Sequence, residues 1–471
     1  MSFSTAIFIF AFLPFVLFVY FISPGKSKNS VLVIFSLVFY ASFIAFGGIQ
    51  SLILLFYSII FNFVCGLLLD AYEKKPLLHK AILFLAILGN LIPLLYYKYF
   101  NFAVMNINYY LHLQVPQVNI ALPLGISFFA FKALSYLIDV YRQKVKADRN
   151  MIDFALYLSI FTQIISGPIT PYAEMKNQIK LRTATTDSFA DGIHRFIKGL
   201  GKKVLIADVL GQTVDMIFAA AHSQQIDMAT AWLGMICYTF QVYFDFSGYT
   251  DMAIGLGKMF GFDTMENFNF PYVSKSITEF WRRWHISLSS WFRNYLYIPL
   301  GGNRRGNVYF NLFIVFLVTG IWHGASWTFI VWGLWHGLFI IIERIIRNKS
   351  WYKQIPSVVK IMVTLFIVAL GWVLFRSASF NDAITYYKLL FGILRDPLPE
   401  FTITYYLNPQ ILVTVVIACL LSVPLLSKIT VSFENKLYWN VGRSVFMGAL
   451  LVLSLMFVMN STYNPFIYFQ F

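Results

Sequence analysis

The sequence has few charged residues. Lysine, arginine, aspartate and glutamate together make up 12% of its 471 residues, whereas hydrophobic residues make up 59%. Side chains of this composition cannot cover a water-soluble globule with polar surface, so the composition excludes that class and predicts a polytopic membrane protein. Because only helices and closed barrels satisfy the backbone within a membrane, and the apolar runs are of helical length, we expect an all-α fold.

Cysteine is also scarce. The three cysteines, Cys65, Cys237 and Cys419, lie far apart within apolar runs. Buried cysteines in such places usually behave as small hydrophobic residues. The pattern supports neither a disulfide framework nor a metal site, and we expect no bound metal.

Acidic residues are the scarcer of the two charges. The chain has 21 of them against 36 lysines and arginines, which gives a formal net charge of +15 at pH 7. In a soluble protein this excess would suggest a nucleic-acid partner, but here the basic residues cluster in short loops between apolar runs, as in cytoplasmic loops of membrane proteins. We therefore expect membrane lipid and no nucleic acid as a partner. A minor part of the excess is compatible with a polyanionic donor on the cytoplasmic face.

About a dozen apolar runs are candidates for membrane crossing, although some are shorter than the ~20 residues that a full span needs. No small-residue cleavage site follows the first run, so we interpret residues 4–20 as a spanning helix and not as a removed signal peptide. We expect about eleven true spans, an N-terminus outside and basic loops inside. The runs lie near residues 4–22, 31–47, 51–69, 82–97, 120–138, 152–170, 229–246, 308–322, 325–342, 358–375, 409–427 and 444–460.

Three stretches depart from a simple alternation of spans and loops. Residues 152–170 lie between two basic segments and contain the breaking motif SGP at 166–168, and a second helix-breaking proline, Pro171, follows directly. This favours re-entry to the side that the chain left. Residues 190–216 mix charged and apolar residues at helical spacing, which predicts a helix lying at the cytoplasmic interface. The polar stretch 248–305 is either a large cytoplasmic loop or a set of short helices packed into the membrane from inside.

Three of the seven histidines, His285, His323 and His336, lie in one aromatic stretch of the chain. Imidazole exchanges protons near neutral pH, so histidines at membrane depth are candidates for catalysis. His323 and His336 occupy twin Trp-His-Gly triplets, and in one continuous helix they would lie ~20 Å apart on opposing sides. At most one would then face a common reaction site. We expect the other, His336, to be structural and to satisfy a backbone carbonyl.

His285 belongs to the run FWRRWHISLSSWFR, residues 280–293. Its aromatic residues recur at helical spacing and predict one amphipathic helix, with Arg282, Arg283 and Arg293 as its basic complement. This spacing leaves an interfacial anchor and an active site as open alternatives. Asp245 and Asp251, which flank the segment FSGYT, could orient a base or cap a helix, and capping is the more ordinary role.

Longer motifs resemble one family. QVYFDFSGYTDMAIGLGKMFGF, NFNFPYVSKSITEFWRRWHISLSSWFR and GIWHGASWTFIVWGLWHG, between Gln241 and Glu343, are similar to motifs of the membrane-bound O-acyltransferases. The similarity is to the bacterial branch that includes alginate and peptidoglycan O-acetyltransferases. PLGISFFAFKALSYLIDVYR at 123–142 and QIISGPITPY at 163–172 resemble upstream motifs of the same branch. Lys132 departs from the pattern, in which an uncharged residue, commonly glutamine, is expected.

The resemblance implies a single domain, 1–471, in which a helical bundle with re-entrant and interfacial helices surrounds a central tunnel. Its parts would be N-terminal helices (1–120), a motif-bearing core (121–345), C-terminal helices (346–460) and an extracytoplasmic aromatic tail (461–471). It implies that His323 is the catalytic histidine and His285 the second characteristic one, helping to orient or stabilise the reacting carbonyl. It also implies acetyl-CoA as acyl donor, with no tightly bound cofactor. Arg282, Arg283 and Arg293 are our candidates to bind the donor's phosphates.

The final residues, Phe466 to Phe471, fit the pattern F-x-Y-x-x-F. This pattern resembles an acceptor peptide that accompanies the D-alanine-transferring branch, and it makes Tyr468 a candidate acyl acceptor. An aromatic belt at the outer interface is the alternative.

Together these features predict a transmembrane O-acetyltransferase of the bacterial cytoplasmic membrane. His323 would act as general base, and the acetyl group would pass through Tyr468 to an extracytoplasmic esterase-like or acyltransferase partner. That partner would acetylate a cell-surface or exported polysaccharide. D-alanyl transfer to teichoic acid and non-catalytic polysaccharide transport are the alternatives.

Overall fold

The computed structural model describes residues 1–43, 48–164, 167–394, 399–425, 437–460 and 463. Throughout these ranges the regular structure is helical and no β-strand occurs. This confirms the all-α class that the composition predicted. The chain packs into two units, Met1–Phe196 with Met252–Met265 and Ile197–Asp251 with Glu266–Gln470. The assignment of residues 1–471 to a single domain stays a prediction.

The first unit contains eight α-helices among its described residues, the beginning of a ninth, and the last residues of the helix Met228–Met259. Buried aromatic rings join its early helices: the Phe39 ring centroid lies 5.9 Å from that of Phe8 and 5.5 Å from that of Phe161. A pair of buried amides, Asn62 and Asn90, exchange two hydrogen bonds of 3.0 and 2.7 Å, an arrangement that joins helices in apolar surroundings. The helices are α1 Leu13–Ile22, α2 Lys28–Ala41, α3 Gly48–Ala71, α4 Pro76–Leu111, α5 Ile126–Tyr141, α6 Met151–Ser159, α7 Phe161–Ile164 and α8 Tyr172–Leu181.

The segment predicted to re-enter the membrane consists of the short helices α6 and α7. The Asn150 side chain accepts a hydrogen bond from the Ile152 N–H and begins α6, and Ile160, with an extended ψ of 117°, separates it from α7. Neither helix is long enough to span a membrane by itself. Ser166 of the predicted breaking motif lies outside the described residues, and re-entry stays a prediction.

Lys132, the departure from the family motif, is 2% exposed within α5. Its Nζ donates to Gln163 Oε1 at 2.9 Å and lies 4.7 Å from the centroid of the Tyr157 ring. No carboxylate lies within ion-pair distance of Lys132 in the part of the chain that the structure describes. A neutral amide oxygen and an aromatic face thus surround a buried amine.

Residues 190–216 belong to a longer helical rod than the sequence predicted. Helix α9 (Thr186–Gly201) continues through a π-helical segment, Lys202–Ala207, into α10 (Asp208–His222). The rod is long and apolar enough to cross a membrane, and 56% of its most apolar window is buried inside the protein. Whether this rod crosses the membrane or lies at its interface is not tested by its length and burial, so the helix at the cytoplasmic interface stays a prediction.

The remaining helices follow in chain order. They are α11 Met228–Met259, α12 Ile277–Arg283, α13 Ile286–Phe292, α14 Val308–His323, α15 Trp327–Ile346, α16 Ser350–Gln354, α17 Ser357–Arg376, α18 Phe380–Leu390, α19 Ile403–Tyr406, α20 Pro409–Leu421 and α21 Leu437–Asn460. In the polar stretch 248–305, the end of α11 is followed by the short helices α12 and α13. That these helices pack into the membrane from inside stays a prediction.

Among the described residues, six helical segments are long and apolar enough to cross a membrane, which supports a membrane protein. Shorter apolar helices occur at Phe8–Ile22, Met151–Gln163, Val308–His323 and Pro409–Leu421. The total of about eleven spans stays a prediction. The six long segments are Ile49–Ala71, Pro76–Leu111, Thr186–His222, Trp327–Ile346, Ser357–Arg376 and Val441–Asn460.

Candidate active site

The first Trp-His-Gly triplet is the end of a helix. His323 is the last residue of α14, and Gly324, with an extended backbone, leaves the helix. The Ser326 side chain then accepts a hydrogen bond from the Thr328 N–H and begins α15. The motif therefore encodes a helix stop, a short turn and a helix cap, which is the local reason why His323 lies at a helix end.

His323 is 2% exposed and lies among aromatic side chains. Its ring centroid is 4.7 Å from that of Trp332, 4.8 Å from that of Trp322 and 5.4 Å from that of Phe375, with all three pairs close to edge-to-face. Trp332 belongs to α15 and Phe375 to α17. A proton-exchanging group is thus buried among aromatic rings, away from bulk water.

His336 lies on α15, so the premise that the two triplets share one helix is wrong. Its ring is 5.1 Å from Trp332, the indole that His323 also contacts, and 5.1 Å from Trp281. The turn at Gly324 brings the two histidines to one indole instead of to opposing sides. Neither ring nitrogen of His336 has a hydrogen-bond partner among the described residues, so the backbone-carbonyl bond expected for it is not found there.

The run that contains His285 is not one helix. α12 ends at Arg283, His285 takes a left-handed conformation with φ of 46°, and α13 begins at Ile286. A residue with a Cβ costs about 1–3 kcal/mol in such a conformation, so surrounding contacts have to stabilise it. The prediction of one amphipathic helix over 280–293 is therefore wrong.

Asn267 supplies those contacts. Its backbone carbonyl accepts from the Ile286 N–H at 3.0 Å, and its Oδ1 accepts from the Ser287 N–H at 3.1 Å and the Ser287 hydroxyl at 3.0 Å. The same Oδ1 lies 3.2 Å from His285 Nδ1. Because Oδ1 can only accept, Nδ1 carries the proton and Nε2 presents a lone pair. Burial lowers the pKa of His285 to about 3, so its ring is neutral at physiological pH.

His285 and His323 are brought together by Trp322. The Trp322 ring centroid is 6.4 Å from that of His285 and 4.8 Å from that of His323. Phe246 closes another side of His285, with ring centroids 4.7 Å apart. The two histidines that the motifs singled out therefore flank one indole, although they belong to separate helical segments.

The three candidate arginines differ in their surroundings. Arg283 pairs with Glu279 at 2.9 Å and donates to the Asn269 carbonyl at 3.1 Å, so it fastens α12 to the loop before it. Arg282 and Arg293 are exposed.

Asp245 and Asp251 lie within α11 and neither caps a helix. The Lys203 Nζ is 3.0 Å from Asp245 Oδ1 and also pairs with Asp208, while Lys202 pairs with Asp251 at 2.7 Å. Sequence reasoning missed both lysines as partners. Their signal was a pair of charges, Lys202-Lys203, within an otherwise apolar helical stretch.

Tyr468 lies outside the described residues. No group of histidine, cysteine and acidic side chains suited to a metal ion occurs in the described ranges. Asn267, Trp332 and Phe375 complete the histidine surroundings and were not predicted. Only the polar turn NFNF hinted at Asn267, and nothing in the local pattern linked Phe375 to His323.

Comparisons with known proteins agree with the motifs. A family profile described as MBOAT, membrane-bound O-acyltransferase family, matches residues 100–379. The chain is 44% identical to a probable alginate O-acetylase of Pseudomonas aeruginosa over 83% of this chain and 75% of the relative. It is 38% identical to a probable alginate O-acetylase of Pseudomonas putida over the full length of both chains. A peptidoglycan O-acetyltransferase of Helicobacter pylori is 36% identical over 83% of this chain and 80% of the relative.

Proposed function

The chain belongs to the membrane-bound O-acyltransferase family, and from this premise we propose that it transfers acetyl groups from cytosolic acetyl-CoA across the bacterial cytoplasmic membrane. The proposed acceptor is Tyr468, from which an extracytoplasmic partner moves the acetyl group to a polysaccharide. The proposed fold around this path is a bundle of about eleven spans with a central tunnel. The relatives named as O-acetyltransferases favour acetyl over D-alanyl transfer.

The observation that carries the proposal is the buried pair of histidines around Trp322. In the proposed reaction His323 removes the phenolic proton of Tyr468 and the phenolate oxygen attacks the acetyl carbonyl. The carbon–sulfur bond then breaks, and the thiolate of CoA receives the proton from His323. The product is a phenyl ester whose acetyl-transfer potential is close to that of a thioester. Excluding water from the buried site limits hydrolysis of either ester.

The tautomer of His285 refines its proposed role. Its Nδ1 proton is directed at Asn267, so a neutral His285 offers only a lone pair at Nε2 and cannot donate to the reacting carbonyl oxygen. We propose instead that His285 orients the acceptor hydroxyl by accepting a hydrogen bond from that hydroxyl. Arg282 and Arg293 are the proposed contacts for the phosphates of acetyl-CoA.

Ester-linked acetate on envelope polysaccharide tests this function. A deletion strain for this protein is complemented with the wild type, with His323→Ala or with the control His222→Ala. The control removes an exposed histidine that is paired with Asp382. Acetate released by mild alkali should fall by about 10²–10⁴-fold in His323→Ala, the usual contribution of a general base, and stay at the wild-type level in the control.

Other outcomes would favour the alternatives. Equal acetate in all three strains at equal protein levels would contradict the base role of His323 and favour a transporter. Release of D-alanine in place of acetate would favour D-alanyl transfer.

A further inference from the structure

One face of α10 carries a row of polar contacts. Asp208, Gly211 and Asp215 follow at intervals of three and four residues, so they share that face. At its far end, Asp215 Oδ1 accepts from Arg376 Nη2 at 2.6 Å, and Asp215 Oδ2 accepts from the Tyr463 hydroxyl, also at 2.6 Å. Tyr463 is the described residue nearest to the C-terminus. Asp215 thus holds the beginning of the C-terminal tail.

The surroundings of this contact are shaped for a tyrosine. A Cβ at Gly211 would lie 2.9 Å from the Tyr463 hydroxyl and 2.6 Å from Gln241 Nε2, so the missing side chain leaves the space that Tyr463 fills. The guanidinium of Arg376 lies over the Phe218 ring at 5.5 Å, and Phe218 stacks on Tyr386 at 4.3 Å. Arg376 of α17 is therefore held against α10, the helix that carries Asp215.

The same helix end joins this contact to the histidine site. α17 ends with Phe375 and Arg376, of which Phe375 contacts His323 with ring centroids 5.4 Å apart. The adjacent residue, Arg376, holds Asp215 and through it Tyr463. The anchor of the tail and the proposed base are thus connected through two consecutive residues.

Tyr468 follows Tyr463 by five residues, a length of chain that reaches at most ~17 Å. We infer that Tyr463 is a positioning residue: held by Asp215, which Arg376 also contacts, it keeps the start of the tail near the histidine site and so raises the effective concentration of Tyr468 there. This inference rests on the proposed transfer through Tyr468. It adds the element that makes the transfer intramolecular and specific for the chain's own tail.

The variant Tyr463→Phe removes only the hydroxyl that binds Asp215. Tyr405→Phe is the matched control, because Tyr405 is an exposed tyrosine outside this contact. Purified wild type and variants are mixed with radiolabelled acetyl-CoA, and acetylation of the tail peptide is followed over time. We expect an about tenfold slower acetylation of Tyr468 in Tyr463→Phe, from the loss of a hydrogen bond to a charged group, with an unchanged KM for acetyl-CoA. Tyr405→Phe should match the wild type.

A double-mutant cycle shows whether the contact itself exists. Thermal unfolding of Tyr463→Phe, Asp215→Asn and the double variant should be non-additive, with little further loss in the double variant. Additive shifts would overturn the anchor independently of any acetyl transfer. Non-additive shifts with wild-type acetylation of Tyr468 in Tyr463→Phe would overturn its positioning role.

The variant Tyr468→Phe separates this inference from the proposed function. If polysaccharide acetylation persists in Tyr468→Phe, the proposed transfer through Tyr468 is wrong, and the positioning role of Tyr463 is then wrong as well. If Tyr468→Phe is inactive and Tyr463→Phe is as fast as the wild type, the transfer stands and only the positioning role is wrong.

Discussion

His285 illustrates how a single distant residue decides a local conformation. Its neighbours have the spacing of an amphipathic helix, and the chain is indeed helical on either side of it, in α12 and α13. The spacing could not show that Asn267, eighteen residues earlier, would accept hydrogen bonds from His285 and Ser287. Those bonds replace helical ones and hold His285 at positive φ. Backbone strain of this kind is common at functional sites, which adds to the reasons for placing His285 in the proposed site.

The Asn267→Ala variant tests this positioning. It removes the acceptor that holds the Nδ1 proton of His285, so the ring is free to change tautomer and orientation. By analogy with residues that orient catalytic histidines through hydrogen bonds, we expect acetyl transfer to fall about 10–100-fold. The measurement is the rate of thiol release from acetyl-CoA by the purified protein.

Asn269→Ala is the control for this measurement, because Asn269 is exposed and contributes its backbone to the hydrogen bonds around Arg283. It should retain wild-type activity. Wild-type activity in Asn267→Ala as well would show that the contact with His285 is dispensable for the reaction.

Among the helices, α14 and α15 form the hairpin that carries the site. Gly320 and Gly333 face each other across it: a Cβ at Gly333 would lie 2.4 Å from the Phe316 carbonyl oxygen and 2.9 Å from the Gly320 Cα. The absence of side chains permits this close approach, as in other tightly packed membrane helices. The approach sets the distance between His323 on one helix and Trp332 on the other.

The Gly333→Ala variant should push the two helices apart. Because the clash is with backbone atoms, we expect a loss of about 1–3 kcal/mol in the free energy of unfolding and a reduced transfer rate. Gly442→Ala is the matched control, since a Cβ at Gly442 has no atom within 4 Å and alanine favours a helix. Thermal unfolding in detergent compares the two. A Gly333→Ala protein as stable as Gly442→Ala would contradict the packing described for this hairpin.

The other helices show what apolar periodicity can and cannot predict. Apolar runs correctly located α3, α4, α15 and α17 as helices of spanning length, because hydropathy over about twenty residues is a strong signal. The charges along the rod through α9 and α10 favoured a helix at the membrane interface, and not all of them face solvent. In the structure Lys203 is buried and forms ion pairs with Asp208 and Asp245. A buried ion pair between helices cannot be told from a polar surface by spacing alone.

Across the whole chain, motifs identified the family and the enzyme class, because they contain the histidines and the residues next to them in sequence. They could not supply contacts between residues far apart in sequence, such as Phe375 with His323 or Tyr463 with Asp215. Those contacts depend on which helices pack together. The same two contacts carry the inference that the C-terminal tail is held near His323, the proposed base for acetyl transfer to Tyr468.

The most direct test of this path is a single turnover without any partner or polysaccharide. Purified wild type and His323→Ala are mixed with radiolabelled acetyl-CoA, quenched in acid, digested and examined by mass spectrometry. The account predicts one alkali-labile acetyl group on Tyr468 in the wild type and none in His323→Ala. An unmodified Tyr468 in the wild type, or equal acetylation of Tyr468 in both proteins, would contradict it.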